Sequence, residues 1–386
     1  MLKVFSALLL CSSAAHGNTV VRVRDGHLVN ADGSVGALVG VHTSQLQAAV
    51  VDALIGDVPA VQIRNTSVFN ASNLRYLHLQ GAYLADIPLL LPSMLVLKLD
   101  DGASIRAAAN LSDPRNATRH AGLVHLVGAK YSAIEGPGAI NASTNAGNGS
   151  AVPPRGGQYG FQAVHVEDSF HCSVRGVRLS ADSGSGAIHV TGGLAVEVAG
   201  CDIGGGMVWA GGRRDAGRCV WVIATSRALV HDNHVHHCEK HALDFDAFTS
   251  ASAAWGNLCE DNAEEGIFVE ETASANFVFN NTCRRNGNGI GVYANAVGPV
   301  EGNIFAANVL EANTGMGMSS GGYGHAPNKY AGNNVFVANT ARGNGRGGFN
   351  IAHGATVKEY WVNNDNSDGF VGTVPHSSAN VSVFEP

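Results

Sequence analysis

Asp244, Asp246 and Glu270 stand close together in a chain of 386 residues of which only 14% are charged. The first two lie in HALDFDA and the third in EGIFVEE. Both segments alternate apolar and other residues (Leu243/Phe245, Ile267/Val269), so each reads as a strand with one buried and one outward side. Such strands pack ~4.8 Å apart, with positions i and i+2 ~6.6–7 Å apart. Side by side, they bring the three carboxylates into one exposed patch. Close carboxylates repel, so one is expected to keep its proton or a cation is expected to sit between them. Two chemistries use that arrangement. In glycoside hydrolysis one carboxyl protonates the leaving oxygen while another activates water or attacks the sugar; Asp246/Glu270 and Asp244/Asp246 are both suitable pairs. In elimination or epimerisation of a uronate, Asp244, Asp246 and Glu270 hold Ca²⁺ and a His or Tyr removes the C5 proton. His189 and Tyr293 are the candidates for that base. Carboxylates outnumber basic candidates, which favours hydrolysis slightly. A non-catalytic glycan-binding surface is the reading from another class.

A repeat must position these residues. The segments QAVHVED, GAIHVTG, RCVWVIA, HALDFDA, EGIFVEE, NGIGVYA, TGMGMSS and GGFNIAH recur at intervals of 23–33 residues. Their paired apolar positions run from Val164/Val166 to Met316/Met318 and Phe349/Ile351. One such strand per coil cannot bury itself, whereas stacked coils close a continuous core. This predicts a parallel β-helix of about ten coils. The outward positions form one column of His125, His165, His189, Trp221, Asp244, Phe268, Gly291, Gly317 and Asn350. A second holds Glu167, Thr191, Ile223, Asp246, Glu270, Tyr293, Ser319 and Ala352. Trp221 and Tyr293 are placed to stack on a sugar ring, with His165 beside them as a further binding residue. The insertion at 204–217 supplies Trp209, Arg213 and Arg214 as a wall that attracts a uronate or sulfate. Asparagines recur between strands in two registers: Asn233, Asn257, Asn281, Asn303 and Asn334, then Asn262, Asn286, Asn308 and Asn339. Asn tolerates left-handed backbone and bonds neighbouring amides, so ladders at the turns are expected. His234, His236 and His237 lie on another face from the carboxylates, with no further ligand apparent, and are not read as a metal site.

Residues 1–17 read as a secretory signal: Lys3, the apolar run Val4 to Leu10, then small residues up to an A-x-G site before Asn18. The expected product is secreted and extracellular, with no membrane span. Sequons headed by Asn65, Asn70, Asn110, Asn116, Asn141, Asn148, Asn280 and Asn380 fit a glycoprotein. Without the signal six cysteines remain, an even number that suits disulfides in an exported chain. Cys259 and Cys283 share a register one coil apart and are the expected bridge, with Cys238–Cys259 in competition. Residues 18–84 form the N-terminal cap region, where TSQLQAAVVDALIG reads as a capping helix with a Ser44/Gln47 box and a stop at Gly56. Residues 85–386 form a single β-helix domain. The 49 glycines suit a chain of short strands and tight turns. A net charge of −7 argues against a nucleic-acid partner; a monomer is expected.

Two stretches carry a resemblance. LLLPSMLVLKLDDGASIRAA and AGLVHLVGAKYSAIEGPGAINAST are similar to the opening segments of polygalacturonases, and the later coils resemble generic parallel β-helix repeats. Together they cover about residues 85 to 372. The chain therefore resembles the right-handed parallel β-helix superfamily that includes the pectinases. That resemblance implies an all-β solenoid and a polysaccharide partner. The N-T-D, D-D, G-H-G and R-I-K motifs of polygalacturonases do not occur here in order, nor does the Y-G-[FI]-D-P-H-like site of alginate epimerases. The resemblance thus implies an architecture and leaves the reaction open.

Overall fold

The computed structural model describes residues 19–30, 32–51, 74–108, 111, 121–143, 161–181, 186–205, 217–294, 298–322, 331–351, 359–368, 370–371 and 381–384. The signal segment 1–17, Gly56, Trp209, Arg213 and Arg214 lie outside these residues.

One coil shows how the sequence makes the fold. Strands Leu229–His231, His234–His236 and Leu243–Phe245 follow one another within 17 residues. Val230, Val235, Leu243 and Phe245 point inward and are buried. Three residues are too few to hold a strand alone, but each pairs in parallel with its counterpart in the next coil, as in Leu229↔Ala253, His234↔Leu258 and Leu243↔Ile267. Among the described residues the result is three long sheets, of fifteen strands in the first and eleven in each of the second and third, parallel except at the N-terminal end of the first. One apolar core runs between them from Val21 to Trp361.

The bend from the first sheet to the second needs left-handed backbone, and Asp232, Gly256, Asn280, Ala307, Ala338 and Asn363 supply it in successive coils. Among the described residues asparagine amides stack at the corners in three ladders and not the two expected. Asn233, Asn257, Asn281, Asn308, Asn339 and Asn364 form one. Asn262, Asn286, Asn313 and Asn344 form another, which ends on the Asp368 carboxylate. Asn276, Asn303 and Asn334 form the third. The triangular section has three corners, so Asn303 and Asn334 belong to a different corner from Asn281. Past the first rung a ladder oxygen accepts two bonds, as Asn281 Oδ1 does from the Asn257 amide and Nδ2 at 3.1 and 2.9 Å.

At the N-terminal end, Thr19–Arg24 joins the first sheet in parallel, and the antiparallel strands His27–Val29 and Val35–Leu38 extend it. A short α-helix, Thr43–Leu46, runs on as a π-turn over Gln47–Val51. It packs against Ala82–Ala85 and Leu89–Leu90, the first strands of the second and third sheets, with Leu46 and Val50 buried. Its box differs from the expected one. The His42 amide donates to Gln45 Oε1 at 3.1 Å. The Ser44 amide donates to Asp86 Oδ1 at 2.9 Å, and Gln47 Oε1 accepts from the Leu90 amide at 2.9 Å. No helix among the described residues is long and apolar enough to cross a membrane.

The expected Cys259–Cys283 bridge is not formed. Cys219 bonds Cys238 across 5.7 Å between Cα atoms, while Cys259 and Cys283 are buried thiols. These two are in-register partners, as expected. In-register side chains run parallel and keep their Cβ atoms at the strand spacing of ~4.8 Å. A disulfide takes ~3.5–4.5 Å. Cys219 and Cys238 lie instead on the connections from the second to the third sheet in consecutive coils, where strand pairing does not fix that spacing.

Candidate active site on the third sheet

The two outward columns run along the third sheet. His125, His165, His189, Trp221, Asp244, Phe268 and Gly291 pair in that order, as expected. Asp246 follows Phe245 directly, which puts it beside Glu270, and Glu270 pairs Tyr293. Beyond Tyr293 the expected register slips by two residues. Ile290 pairs Met318 and not Met316, so Ser319 takes the place given to Gly317, and Tyr293 faces Gly321. Met316 begins the strand early and pairs Gly347.

The carboxylates are brought together, but they are not an exposed patch. Asp244 is 0%, Asp246 4% and Glu270 9% exposed. The group that holds them is Arg218, which the sequence reading missed. Its Nε donates to Asp244 Oδ2, and its Nη2 donates to Glu270 Oε1 at 3.0 Å. The cation expected between the carboxylates is therefore this guanidinium, and a calcium ion on Asp244, Asp246 and Glu270 would have to displace it. Asp246 accepts from Trp221 Nε1 at 2.7 Å and from the Ala247 amide at 2.6 Å.

Burial dominates the protonation of this cluster. It pushes the Asp244 carboxyl well above the usual carboxylate range, against the pull of Arg218 and with help from the charges of Glu270 and Asp246. Burial, then the neighbouring Asp246 charge, raises Glu270 to about 7 even though Arg218 works the other way. Burial opposes the charge of Arg218, yet Asp244, Glu270 and Asp246 more than offset it and hold the guanidinium protonated.

Trp221 is not free to stack on a sugar. Its ring lies on His189 from the preceding coil, 4.4 Å between centroids, while the Arg218 guanidinium reaches toward the following coil 4.8 Å from the same centroid. Trp221 thus anchors Asp246 and offers its edge. His189 is buried beneath it, and His165 is buried one coil further back. Tyr293 is half-buried beside Phe268 at the open side of Glu270.

A second group lies at the strand entrance, where His241 and Glu265 stand in equivalent positions ahead of Leu243 and Ile267. His241 is buried with Nδ1 at 2.8 Å from Glu265 Oε2, and Asn288 Nδ2 donates to Glu265 Oε1 at 3.0 Å. Burial lowers the His241 pKa and keeps the ring neutral, with Glu265 pulling the other way. Burial works against the Glu265 carboxylate too, but its bonds to His241 and Asn288 prevail and its pKa is lowered. One ligand-type atom each of His241, Asp244 and Glu270 lies within 4.8 Å of the others. Strict alternation would turn Glu265 inward, because Ile267 and Val269 point inward. Gly266 breaks the alternation: a Cβ there would strike Cys283 Cβ at 2.8 Å, so position 266 also faces the core and 265 is turned out. The sequence signal was the aligned entrance positions Arg218, His241, Glu265 and Asn288, all polar.

Comparison with known proteins agrees with this architecture. A family model described as "Right handed beta helix region" matches residues 157–310. No curated protein matches the sequence. Among solved structures, a polygalacturonase from Erwinia carotovora ssp. carotovora is 14% identical with a TM-score of 0.63, over 88% of this chain and 94% of that one. The tailspike protein of E. coli bacteriophage HK620, in complex with a pentasaccharide, is 13% identical with a TM-score of 0.57, over 89% of this chain and 61% of that one. The A-module of a mannuronan C-5 epimerase from Azotobacter vinelandii is 13% identical with a TM-score of 0.52, over 89% and 96%. The chain has the right-handed parallel β-helix fold. At these identities the likeness establishes the fold, and no particular family within it is defined.

Proposed function

We propose that this protein is a secreted glycoside hydrolase acting on an extracellular polysaccharide, with Glu270 as general acid and Asp246 as its partner carboxylate. The observation that carries this reading is the buried Glu270 carboxyl, raised to about 7 beside Asp246 and Arg218. It carries a proton near neutral pH, where an ordinary glutamate does not, and can give it to a leaving oxygen. Asp246 is oriented by the Trp221 and Ala247 donors for the complementary role. Arg218 and Asp244 are positioning residues that fix Glu270 from behind. Asp246 and Glu270 stand on adjacent coils, ~4.8 Å apart at the backbone. A glycan substrate is supported by the printed descriptions of the similar structures: a polygalacturonase, a mannuronan epimerase, and a tailspike bound to a pentasaccharide.

One observation favours a second reading. A neutral, buried His241 held by Glu265 is the arrangement of a proton-abstracting base, as elimination or epimerisation of a uronate requires. His241 replaces His189 as the candidate, because His189 is covered by Trp221. A polysaccharide panel assayed in parallel for new reducing ends and for unsaturated uronates separates the readings. Hydrolysis gives reducing ends without unsaturation. Unsaturated ends, or silence with retained glycan binding, refute it.

A further inference from the structure

The N-terminal half of the third sheet carries a second cluster that the hydrolytic reading does not use. His125 and His165 are in-register partners on adjacent strands, and both are 1% exposed. Their rings meet edge to face with centroids 4.4 Å apart. Both Nε2 atoms face the same oxygen, Glu167 Oε2, at 3.6 Å from His125 and 3.8 Å from His165. These distances are too long for hydrogen bonds. They are close to the separation of two ligands on one tetrahedral zinc ion, about 3.4 Å for Zn–N and Zn–O bonds of ~2.0–2.2 Å.

The tautomer of His165 sharpens the point. Its Nδ1 lies 3.0 Å from Gln162 Oε1, a carbonyl-type oxygen that can only accept. In the neutral ring the proton is therefore on Nδ1, and Nε2 is left to turn a lone pair toward the carboxylate. In that form two acceptors face each other, an arrangement that a cation resolves. An outer partner on Nδ1 is also how a ligating imidazole is usually oriented.

We propose that His125 Nε2, His165 Nε2 and Glu167 Oε2 form a binding site for a divalent transition metal of the zinc class, with an open coordination position on the solvent side. The Glu167 side chain is 44% exposed, which leaves that side accessible. The site lies three coils ahead of Asp246 along the same column, through Thr191 and Ile223. It stands independently of the hydrolytic assignment. The competing cluster is Asp202, His234 and His236 on the second sheet. There both rings approach Asp202 Oδ1 at hydrogen-bond distance, 3.3 and 3.1 Å, so the contacts are satisfied without an ion.

The test is equilibrium dialysis of the chelator-stripped full chain against zinc, with metal per chain as the readout and the cobalt(II) visible band as a second probe. Wild type and Asp202→Asn are expected to bind one equivalent. Glu167→Gln, at a solvent-facing position and checked for wild-type thermal unfolding, is expected to bind more than about 100-fold more weakly, beyond the usual effect of losing an outer partner. It should also lose the cobalt band. No saturable binding by wild type, undiminished binding by Glu167→Gln, or loss in Asp202→Asn would each overturn the proposal.

Discussion

Replacing Arg218 by methionine removes the one cation that the described structure places between Asp244 and Glu270. The side chains of Arg218, Asp244 and Glu270 are 10%, 0% and 12% exposed, so solvent offers little compensation. Breaking a buried pair from one side costs about 3–5 kcal/mol, because a charge is left without its partner. Here two carboxyls are stranded, and both can reduce the cost by taking up a proton. Glu270 is already raised to about 7 and Asp244 is raised as well. Without Arg218 both rise further. Groups raised in the folded state add stability that is complete below their unfolded pKa and is lost as pH climbs through the folded one. The Arg218→Met deficit should therefore be smaller at pH 5 than at pH 8, where it approaches the full about 3–5 kcal/mol. Urea unfolding of the full chain, followed by tryptophan fluorescence at both pH values, reads this directly. Adding Asp244→Asn to Arg218→Met removes a stranded charge and should restore at least half of the loss. A single variant within about 1 kcal/mol of wild type, the range of a surface ion pair, would refute the reasoning. So would a double variant whose deficits simply add.

Other consequences follow from the same structure. Glu359 is buried in the core and raised by that burial from 4.5 to about 7. Its contribution is complete below pH 4.5 and is lost as pH rises through about 7, so wild type should lose roughly 3 kcal/mol across that window relative to Glu359→Gln. Parallel denaturation series for the two proteins measure the difference. Cys219→Ser opens a link of sequence separation 19 and should cost about 3 kcal/mol, whereas Cys259→Ala should leave the non-reducing disulfide map unchanged. Asn281→Ala deprives the Asn257 amide and side chain of their acceptor and should cost about 3 kcal/mol in thermal or urea unfolding, against under 1 at an exposed asparagine.

The solenoid was legible because alternation and a roughly constant coil length repeat the same instruction many times. Val220, Leu243, Ile267 and Ile290 fall on one line in the sequence and on one line in the core. Neighbourhood along the outward face was legible as far as that alternation holds, which is why Asp244, Asp246, Glu270 and Tyr293 lie on adjacent coils as expected. It failed where local geometry departs from the period. Gly266 sends two successive positions inward and hides Glu265 and its neighbours at the strand entrance. The extended strand Met316–Gly322 contains two alternating pairs, and packing chose Met318/Ser320 over Met316/Met318. Burial of the outward face is not encoded in a two-residue period at all. A carboxylate on the outer side of a strand reads as exposed until the arginine, imidazole and indole beside it are placed.

The central claim is that Glu270 acts as a buried acid in glycoside cleavage. Reducing-end release from the responsive polysaccharide, followed against pH for wild type and Glu270→Gln, tests it most directly. The account predicts wild-type turnover that declines as pH rises through about 7, where Glu270 gives up its proton. It also predicts a loss of about 10²–10⁴-fold in Glu270→Gln with the fold intact, the range for removing a general acid. Undiminished turnover by Glu270→Gln, or a wild-type profile with no limb near that pH, would contradict it.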